Sequence, residues 1–442
     1  MSMRAFFLII HLAIAALSSH AQVSPTDTLA VVQQEDNGRT GHENHCWSWE
    51  LGGGPARVLA LDKYVERWLK GRSVTAFYLQ ANHTAALGKG EDFDADYNYP
   101  SLSFGLKVNL NHATTMHREA NPAWGQLQPV DYTSRLGNAL TLYGRFERPV
   151  VRAKRWEWGY YLGLGAGYFH QKYNLTDDID NELIGSHLNI YFTAGLYGQY
   201  WLAKTWAVKA GVDFSHHSNG ALYRPNKGAN YLGPFAALVY SPQREQPEQP
   251  DRSLSILPKS SFRPYWLVEA TLGLGAKTLL EDWQRTQFNT PPGSPDYRTD
   301  RFPIYGAFSF EGSLLYRYAR RWASGIGLDV FYGDYAHKVA RLDRAAGYAD
   351  EPHSPWSVGL AARHEVYYGR LSARMGVGWY LYRHMGVGAR KAEKRYYERI
   401  GLFYELPHLG GTAVGISVNA HATKADFTEL VVSVPLLRFG NK

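Results

Sequence analysis

The sequence has little of two things that stabilise or anchor many exported proteins: cysteine and long apolar segments. Cys46 is the only cysteine among 442 residues, so a disulfide within the chain is excluded. After the first 21 residues, no apolar stretch approaches the roughly 20 residues that a membrane-spanning helix needs. Mean hydropathy is also negative. Helical membrane spans are therefore excluded, and stability must come from something other than disulfides.

Motifs of several common enzyme and binding classes are also missing. The chain contains no Walker-type phosphate loop, no paired-cysteine metal motif and no Gly-x-Ser-x-Gly nucleophile elbow. His364-Glu365 lacks the second histidine of a zinc-protease helix, and His112 and His117 have no ligand-like companions. We therefore predict no metal, no other cofactor and no nucleic-acid partner. The net charge of +7 suits anionic lipid head groups but fits many other partners too.

The amino terminus resembles an export signal. Arg4 precedes an apolar run, residues 5–17, which is followed by the small-x-small sequence Ser19-His20-Ala21. This run is too short to span a bilayer and ends in a cleavage pattern, so residues 1–21 are predicted to be a signal peptide. Residues 22–44 are polar and show no periodicity, which is typical of a flexible periplasmic lead-in.

Aromatic residues and glycine are abundant, with 31 Tyr, 13 Trp and 43 Gly. In a transmembrane β-barrel only every second residue faces lipid, so mean hydropathy stays low. Residues 156–166 show this alternation, with Glu157, Gly159, Gly163 and Gly165 on the face opposite the apolar one. Four further segments repeat it: 188–196, 266–274, 322–330 and 371–379. The sequence therefore predicts an all-β, antiparallel barrel that crosses the outer membrane of a Gram-negative cell many times.

About sixteen strands are predicted, an even number that suits a closed bacterial barrel. They begin near residues 45, 73, 98, 134, 155, 187, 205, 230, 264, 302, 321, 355, 370, 394, 411 and 425. Tight joins near 203–205, 319–321 and 369–370 alternate with long polar loops at 112–133, 171–186, 279–300 and 335–354. Because such barrels have short periplasmic turns and longer extracellular loops, this alternation predicts their orientation.

A proline-rich connection, residues 242–263, interrupts the rhythm of the strands. We expect a single barrel of about sixteen strands, with residues 45–241 carrying the candidate site and residues 264–442 supplying the C-terminal strands. The alternative is an eight-strand catalytic barrel followed by a second β unit. Nothing in the sequence indicates the oligomeric state or a separate role for residues 264–442.

One polar run carries candidate chemistry: residues 216–220, His-His-Ser-Asn-Gly, at the end of a predicted strand. The apolar face of that strand continues into His216 and Ser218, whereas His217 is on the polar, lumen-side face. Residues two apart in a strand share a face, with α-carbons about 7 Å apart, so His216 can reach the Ser218 hydroxyl. A serine activated by a base, which a third group orients, is the arrangement of serine esterases.

Candidate hydrogen-bond donors for an oxyanion or a substrate follow in the same region. They are Asn219, Asn226 and the backbone N–H groups of Gly220 and Gly228. Because the strand runs outward from a predicted periplasmic turn near residue 204, residues 216–230 are predicted to lie at the extracellular rim. A substrate in the outer leaflet would meet them there.

These residues resemble the outer-membrane lipid A 3-O-deacylases of the PagL type, an acyloxyacyl hydrolase family. The family signature is His-x-Ser-Asn, then Pro-Asn, then a third triad member; residues 216–219 match the first part and residues 225–230 match the spacing of the second. The resemblance implies that His216 is the general base, Ser218 the nucleophile and Asn226 an oxyanion-site residue. One position departs from it, because Asn230 stands where the family has glutamate. Asparagine can fill the orienting role, as it does in Cys-His-Asn proteases.

The resemblance implies an enzyme, an outer-membrane carboxylic ester hydrolase that removes a hydroxyacyl chain from the lipid A part of lipopolysaccharide. It covers about residues 205–240 and leaves residues 264–442 without an assigned role. Two alternatives stay open at this stage. One is a non-catalytic porin or structural barrel with a degenerate site, which would be revealed by a conducting pore. The other is an esterase that acts on outer-leaflet phospholipid.

Overall fold

The computed structural model of the protein describes residues 45–85, 92–121, 129–243, 262–422 and 424–440. The predicted signal peptide, residues 1–21, and the predicted lead-in, residues 22–44, lie outside the described residues. So does most of the predicted proline-rich connection, since residues 244–261 are not described.

The strands fall into two groups along the chain. The first group comprises β1 (His45–Val58), β2 (Ser73–Ala85), β3 (Ser101–Leu110), the short pair β4 (Thr115–Met116) and β5 (Ser134–Arg135), β6 (Ala139–Arg152), β7 (Trp156–Phe169), β8 (Leu188–Trp201), β9 (Trp206–Ser218) and β10 (Ala229–Tyr240). The second comprises β11 (Tyr265–Lys277), β12 (Tyr305–Ala319), β13 (Trp322–Gly333), β14 (His353–Tyr368), β15 (Leu371–Met385), β16 (Tyr396–Glu405), β17 (Ala413–His421) and β18 (Lys424–Phe439).

Short helices lie in the connections between strands. They are α1 (Lys63–Trp68), α2 (Asp92–Asp96), α3 (Leu280–Gln284) with a π-helical turn (Arg285–Asn289), α4 (Ala336–Ala345) and α5 (Gly386–Ala392). Among the described residues, no helix is long and apolar enough to cross a membrane.

Each group of strands closes on itself through antiparallel pairs. In the first barrel β1 pairs with both β2 and β10, and in the second β11 pairs with both β12 and β18. The predicted all-β, antiparallel fold is confirmed, but the preferred single barrel is corrected to two barrels of eight strands, which is the alternative arrangement. The reason is the strand pairing: β10 pairs with β1 and not with β11, and β18 pairs with β11 and not with β1, so neither set of eight strands has a free edge with which to join the other.

The barrel strands begin close to their predicted starts. All sixteen start within five residues of the positions that the alternating pattern indicated. Strand β4 and the five α-helices fall in segments that the pattern left as connections, whereas β5 lies at the predicted start near residue 134 of the strand that the structure begins at Ala139. The alternation of side chains therefore predicts where the strands lie, whereas only the structure shows which strands pair with each other.

The two faces of the strands differ as a membrane barrel requires. Outward side chains such as Leu196, Leu272 and Leu430 are 66%, 62% and 66% exposed. Inward side chains are polar and buried: in the first barrel Lys209 lies 2.8 Å from Glu50 and 2.5 Å from Glu147. The apolar surface therefore faces outward, towards lipid.

Charged side chains also fill the second barrel. Arg363 and Arg399 both pair with Glu311, at 2.7 and 2.8 Å, while Arg363 contacts Asp329 and Arg399 contacts Glu429. Each cation is thus compensated by carboxylates in the interior. The lumens of both barrels are thus filled with mutually compensated charges.

The two barrels touch at both ends. At the end that carries the short turns, Tyr97 Oη donates to the Tyr367 carbonyl at 2.9 Å and Tyr368 Oη donates to Asp94 at 2.6 Å. At the end that carries the long loops, Arg298 of the second barrel donates to Asp180 of the first at 2.8 Å. The barrels therefore lie side by side and present their long loops at the same end.

Candidate active site

His216 and Ser218 lie at the end of β9 on its outward face. They continue a row of exposed apolar side chains that includes Trp206, Val208 and Val212. His217 points the opposite way and is fully buried, with its Nε2 atom 2.9 Å from Thr141 Oγ1. The period of the strand thus gives the neighbouring histidines different surroundings, and only His216 shares a face with Ser218.

The three polar side chains form one hydrogen-bonded chain. Ser218 Oγ lies 2.8 Å from His216 Nε2, and His216 Nδ1 lies 2.7 Å from Asn230 Oδ1. Because the amide oxygen can only accept, Nδ1 carries the proton and donates to it. His216 Nε2 is then the unprotonated nitrogen, which accepts the hydroxyl proton of Ser218.

Asn230 is placed by strand pairing. It is the direct register partner of His216 between β10 and β9, so their side chains project from the same face. Its Nδ2 group donates to the Gly228 carbonyl at 3.3 Å, which fixes the amide with its oxygen towards the histidine. Its backbone carbonyl accepts from Leu59 N–H at 2.8 Å. Asn230 is 4% exposed, so its orientation is set by these bonds within the protein.

A loop of ten residues, 219–228, hereafter the site loop, joins Ser218 to β10. It starts with a tight turn in which Leu222 N–H donates to the Asn219 carbonyl at 3.2 Å. The two central residues, Gly220 and Ala221, have φ of +61° and +72°. Positive φ at both central positions is the mark of a type I′ turn, which strongly prefers Gly, Asn or Asp. Ala221 therefore occupies a position that costs it backbone strain.

Glycine is required at the far end of the site loop. Gly228 has φ of +78°, and a β-carbon placed on it would lie 2.6 Å from His216 Cε1. A residue with any side chain would therefore be strained and would also collide with the histidine ring.

Four groups are expected to donate to an oxyanion or a substrate. In the structure, some of their donors already have hydrogen-bond partners within the protein and others do not. Asn219 N–H donates to Asn226 Oδ1 at 3.1 Å, Asn219 Nδ2 donates to Ser186 Oγ at 3.1 Å, and Gly228 N–H donates to Leu183 O at 3.0 Å. Those donors are occupied. The N–H of buried Gly220 and the Nδ2 group of Asn226 have no hydrogen-bond partner among the described residues.

A second loop, between β7 and β8, supports the site loop. Glu182 and Leu183 accept from the N–H groups of Lys227 and Gly228, each at 3.0 Å. Glu182 is fully buried and also accepts from Tyr64 Oη at 2.6 Å and pairs with Arg118 at 3.0 Å. Burial, followed by the charge of Glu182, raises the pKa of Tyr64, so its phenol stays protonated and donates.

Sequence reasoning missed these supporting residues. Ser186, Glu182 and Leu183 belong to a segment that the pattern identified only as a polar loop. They lie more than thirty positions from the groups they contact, and no local period or motif marks such contacts. Only the His-x-Ser-Asn signature pointed to this region.

One group of potential metal ligands occurs among the described residues, and it lies in the second barrel. The ligand atoms of Glu393, His421 and Asp426 all fall within 4.8 Å of one another. Lys277 contacts Asp426, however, and Arg383 pairs with Glu393 at 2.7 Å. These two cations already compensate the carboxylates, so the cluster is a salt-bridge network.

The chemistry of the site follows from its geometry. Ser218 donates to a histidine whose other nitrogen is oriented by Asn230, and free N–H groups remain on the loop that follows the serine. This is the set of groups that nucleophilic acyl transfer needs: nucleophile, base, orienting group and donors for an oxyanion.

Two protein-family profiles match the chain. The profile described as "Lipid A 3-O-deacylase (PagL)" matches residues 95–238, and "Acyloxyacyl hydrolase, C-terminal domain" matches residues 266–438. The first match includes the whole site, and the second covers most of the second barrel. A search of curated proteins found no match.

Solved structures with some similarity are membrane channels and transporters. The copper transporter OprC has a TM-score of 0.22 and 11% identity, with 89% of this chain and 62% of the transporter covered. The toluene transporter TodX of Pseudomonas putida has a TM-score of 0.17 and 9% identity, with 89% of each chain covered. The chain thus spans less than two thirds of the copper transporter's length.

Replacing Gly228 should disable the site while leaving the barrels folded. We expect Gly228→Ala to lower turnover of an acyl ester about 10-fold or more, because the new β-carbon displaces the ring of His216 from Ser218 and misplacement of about 1 Å can cost that much. The measurement is the rate of fatty-acid release by purified protein. Gly347→Ala is the matched control, since Gly347 has φ of +90° but a β-carbon added there would meet nothing within 4 Å. Equal rates for the two variants would contradict the assigned geometry.

Proposed function

Because the chain belongs to the lipid A 3-O-deacylase family, we propose that it is a serine esterase that removes an ester-linked hydroxyacyl chain from lipid A. The family is one of outer-membrane hydrolases, and this protein is an outer-membrane β-barrel. The observation that carries the proposal is the unbroken hydrogen-bonded chain from Ser218 through His216 to Asn230 on a lipid-facing surface.

The first half of the reaction forms an acyl-enzyme. His216 Nε2 takes the proton of the Ser218 hydroxyl while Oγ attacks the acyl carbonyl carbon. The carbonyl oxygen gains negative charge, which the Gly220 N–H and the Asn226 Nδ2 group stabilise. The tetrahedral species then expels the sugar alkoxide. His216 returns its proton to that oxygen, so the sugar leaves as an alcohol.

The second half restores the enzyme. Water gives a proton to His216 Nε2 and attacks the Ser218 acyl ester, and the same donors stabilise the oxyanion. Collapse of this species breaks the Ser218 Oγ–acyl bond and releases the hydroxy fatty acid, while the proton returns to Oγ. One ester and one water thus yield one alcohol and one acid.

Asn230 performs the orienting role without a charge. Its Oδ1 atom accepts from His216 Nδ1 and holds the ring in the reactive tautomer. A carboxylate at this position would also stabilise the imidazolium that forms during the reaction. The neutral amide instead avoids the cost of placing a negative charge beside lipid.

The place of the site matches the substrate. His216 and Ser218 lie at the end of β9 that carries the long loops, which are extracellular in outer-membrane barrels. Their outward direction exposes them to the outer leaflet, where lipid A resides. The ion pairs that fill both lumens speak against a conducting pore as the main function.

Removal of the nucleophile tests the proposal directly. In a Gram-negative host, expression of the wild type should yield lipid A that is lighter by one hydroxyacyl chain, as measured by mass spectrometry. Ser218→Ala should leave lipid A intact, because no other hydroxyl is hydrogen-bonded to His216 among the described residues.

Ser324→Ala is the matched control, since Ser324 also lies 2.9 Å from a histidine nitrogen, that of His364 in the second barrel. This variant should act like the wild type. Intact lipid A with the wild type would contradict the substrate, and shortened lipid A with Ser218→Ala would contradict the nucleophile.

Substitutions of Asn230 test the orienting group. We expect Asn230→Ala to lower the rate about 10- to 100-fold, a part of the roughly 10²- to 10⁴-fold that a general base contributes, because His216 loses the acceptor for its Nδ1 proton. Asn230→Glu should retain activity, since a carboxylate accepts the same proton. The measurement is initial hydrolysis rate on purified lipid A. If Asn230→Ala matches the wild type, Asn230 has no orienting role.

A further inference from the structure

The second barrel contacts the site loop at the residues that directly follow the nucleophile. Thr278, which follows β11, donates to the Ala221 carbonyl twice: its N–H lies at 2.8 Å and its Oγ1 at 2.9 Å. Thr428 of β18 donates from Oγ1 to the Gly220 carbonyl at 3.4 Å. The carbonyls of both central residues of the turn after Ser218 are thus held from the neighbouring barrel.

The contact is too close to be incidental. A β-carbon on Gly220 would lie 1.9 Å from Thr428 Oγ1, so the backbone of the site loop rests directly on β18. Ala221 and Thr278 are 0% and 1% exposed. Arg224, further along the site loop, donates in return to the Thr278 carbonyl at 3.2 Å. The two elements therefore form a packed interface that excludes solvent.

These bonds offset a local cost in the site loop. Ala221 has φ of +72°, a region that is unfavourable for a residue with a side chain. The only two hydrogen bonds to its carbonyl among the described residues both come from Thr278. The second barrel thereby stabilises a turn that residues 219–222 do not favour by themselves.

The turn held in this way carries one of the two donors that have no partner among the described residues. The peptide that joins Asn219 to Gly220 lies between two fixed neighbours: Asn219 N–H is bonded to Asn226, and the Gly220 carbonyl is bonded to Thr428. Its own carbonyl accepts from Leu222. Its N–H, on Gly220, is then pre-oriented and, among the described residues, unpaired, as a donor for a developing oxyanion must be.

We propose that the second barrel completes the esterase site by holding the Gly220 N–H in place through Thr278 and Thr428. This inference rests on the proposed function and adds a role for residues 264–442. Both threonines are positioning residues that act through the site loop and do not touch the substrate's reacting atoms. The held Gly220 N–H stabilises the transition state, which bears the oxyanion, more than it stabilises the bound ester.

The test measures kcat and KM for lipid A in mixed detergent micelles. We expect Thr278→Val to lower kcat about 3- to 10-fold and the Thr278→Val/Thr428→Val double variant about 10- to 100-fold, less than the roughly 10²- to 10³-fold caused by loss of an oxyanion donor. KM should change less than about twofold, since ground-state binding is spared. Thr278→Ser, which keeps the hydroxyl, should restore kcat.

Thr271→Val is the matched control, because Thr271 Oγ1 donates to Ser433 inside the second barrel, 3.0 Å away and remote from the site loop. Its kcat should equal that of the wild type. Folding of each variant is checked by its heat-modifiable migration in gel electrophoresis. If the double variant fails to fold, the kcat of Thr428→Val alone is compared with that of Thr271→Val.

Three outcomes would overturn the inference. The first is that the double variant has the same kcat as Thr271→Val. The second is that Thr278→Ser is as slow as Thr278→Val. In either case the proposed function still stands, provided that the wild type is active and Ser218→Ala is inactive. The third is an inactive wild type, which overturns the proposed function and this inference with it.

Discussion

The pairing register between β9 and β10 is the constraint on which the site depends. His216 and Asn230 are direct partners across these strands, and the hydrogen bond between their side chains exists only in that alignment. A slip of one residue would turn every side chain of one strand to the opposite face. Closure of the first barrel prevents this slip, because β9 and β10 each have a second neighbour whose pairing is also fixed. The barrel is thus a rigid frame for the three side chains of the candidate site.

Local periodicity was sufficient to predict the strands and the direction of the key side chains, while long-range contacts were not predictable. Alternation alone placed His216 and Ser218 on the lipid face and His217 in the lumen, because a strand has a fixed period of two. Asn230 was identified through the spacing of a family signature, and its place opposite His216 needed the register. The choice between one barrel and two depended on which strands close each edge. Strands of either arrangement show the same alternation, so the pattern could not decide it.

The supporting contacts of the site show the same limit. Glu182 reaches the site loop from another connection, and Thr278 and Thr428 reach it from another barrel. Such contacts leave no periodic mark in the sequence. Their effect is nonetheless physical and specific: they fix carbonyl and N–H groups around a turn that carries backbone strain at Ala221. The order of the site loop therefore depends on neighbours that are distant in the sequence.

Covalent labelling shows whether Ser218 is the nucleophile that we propose and whether His216 activates it. A long-chain alkyl fluorophosphonate, which reacts with activated serines, should modify the wild type, and peptide mass spectrometry should place the adduct on Ser218. His216→Ala should label far more slowly, because a general base contributes about 10²- to 10⁴-fold. An adduct on another residue would contradict the role of Ser218 as nucleophile, and equal labelling of the wild type and His216→Ala would contradict activation by His216.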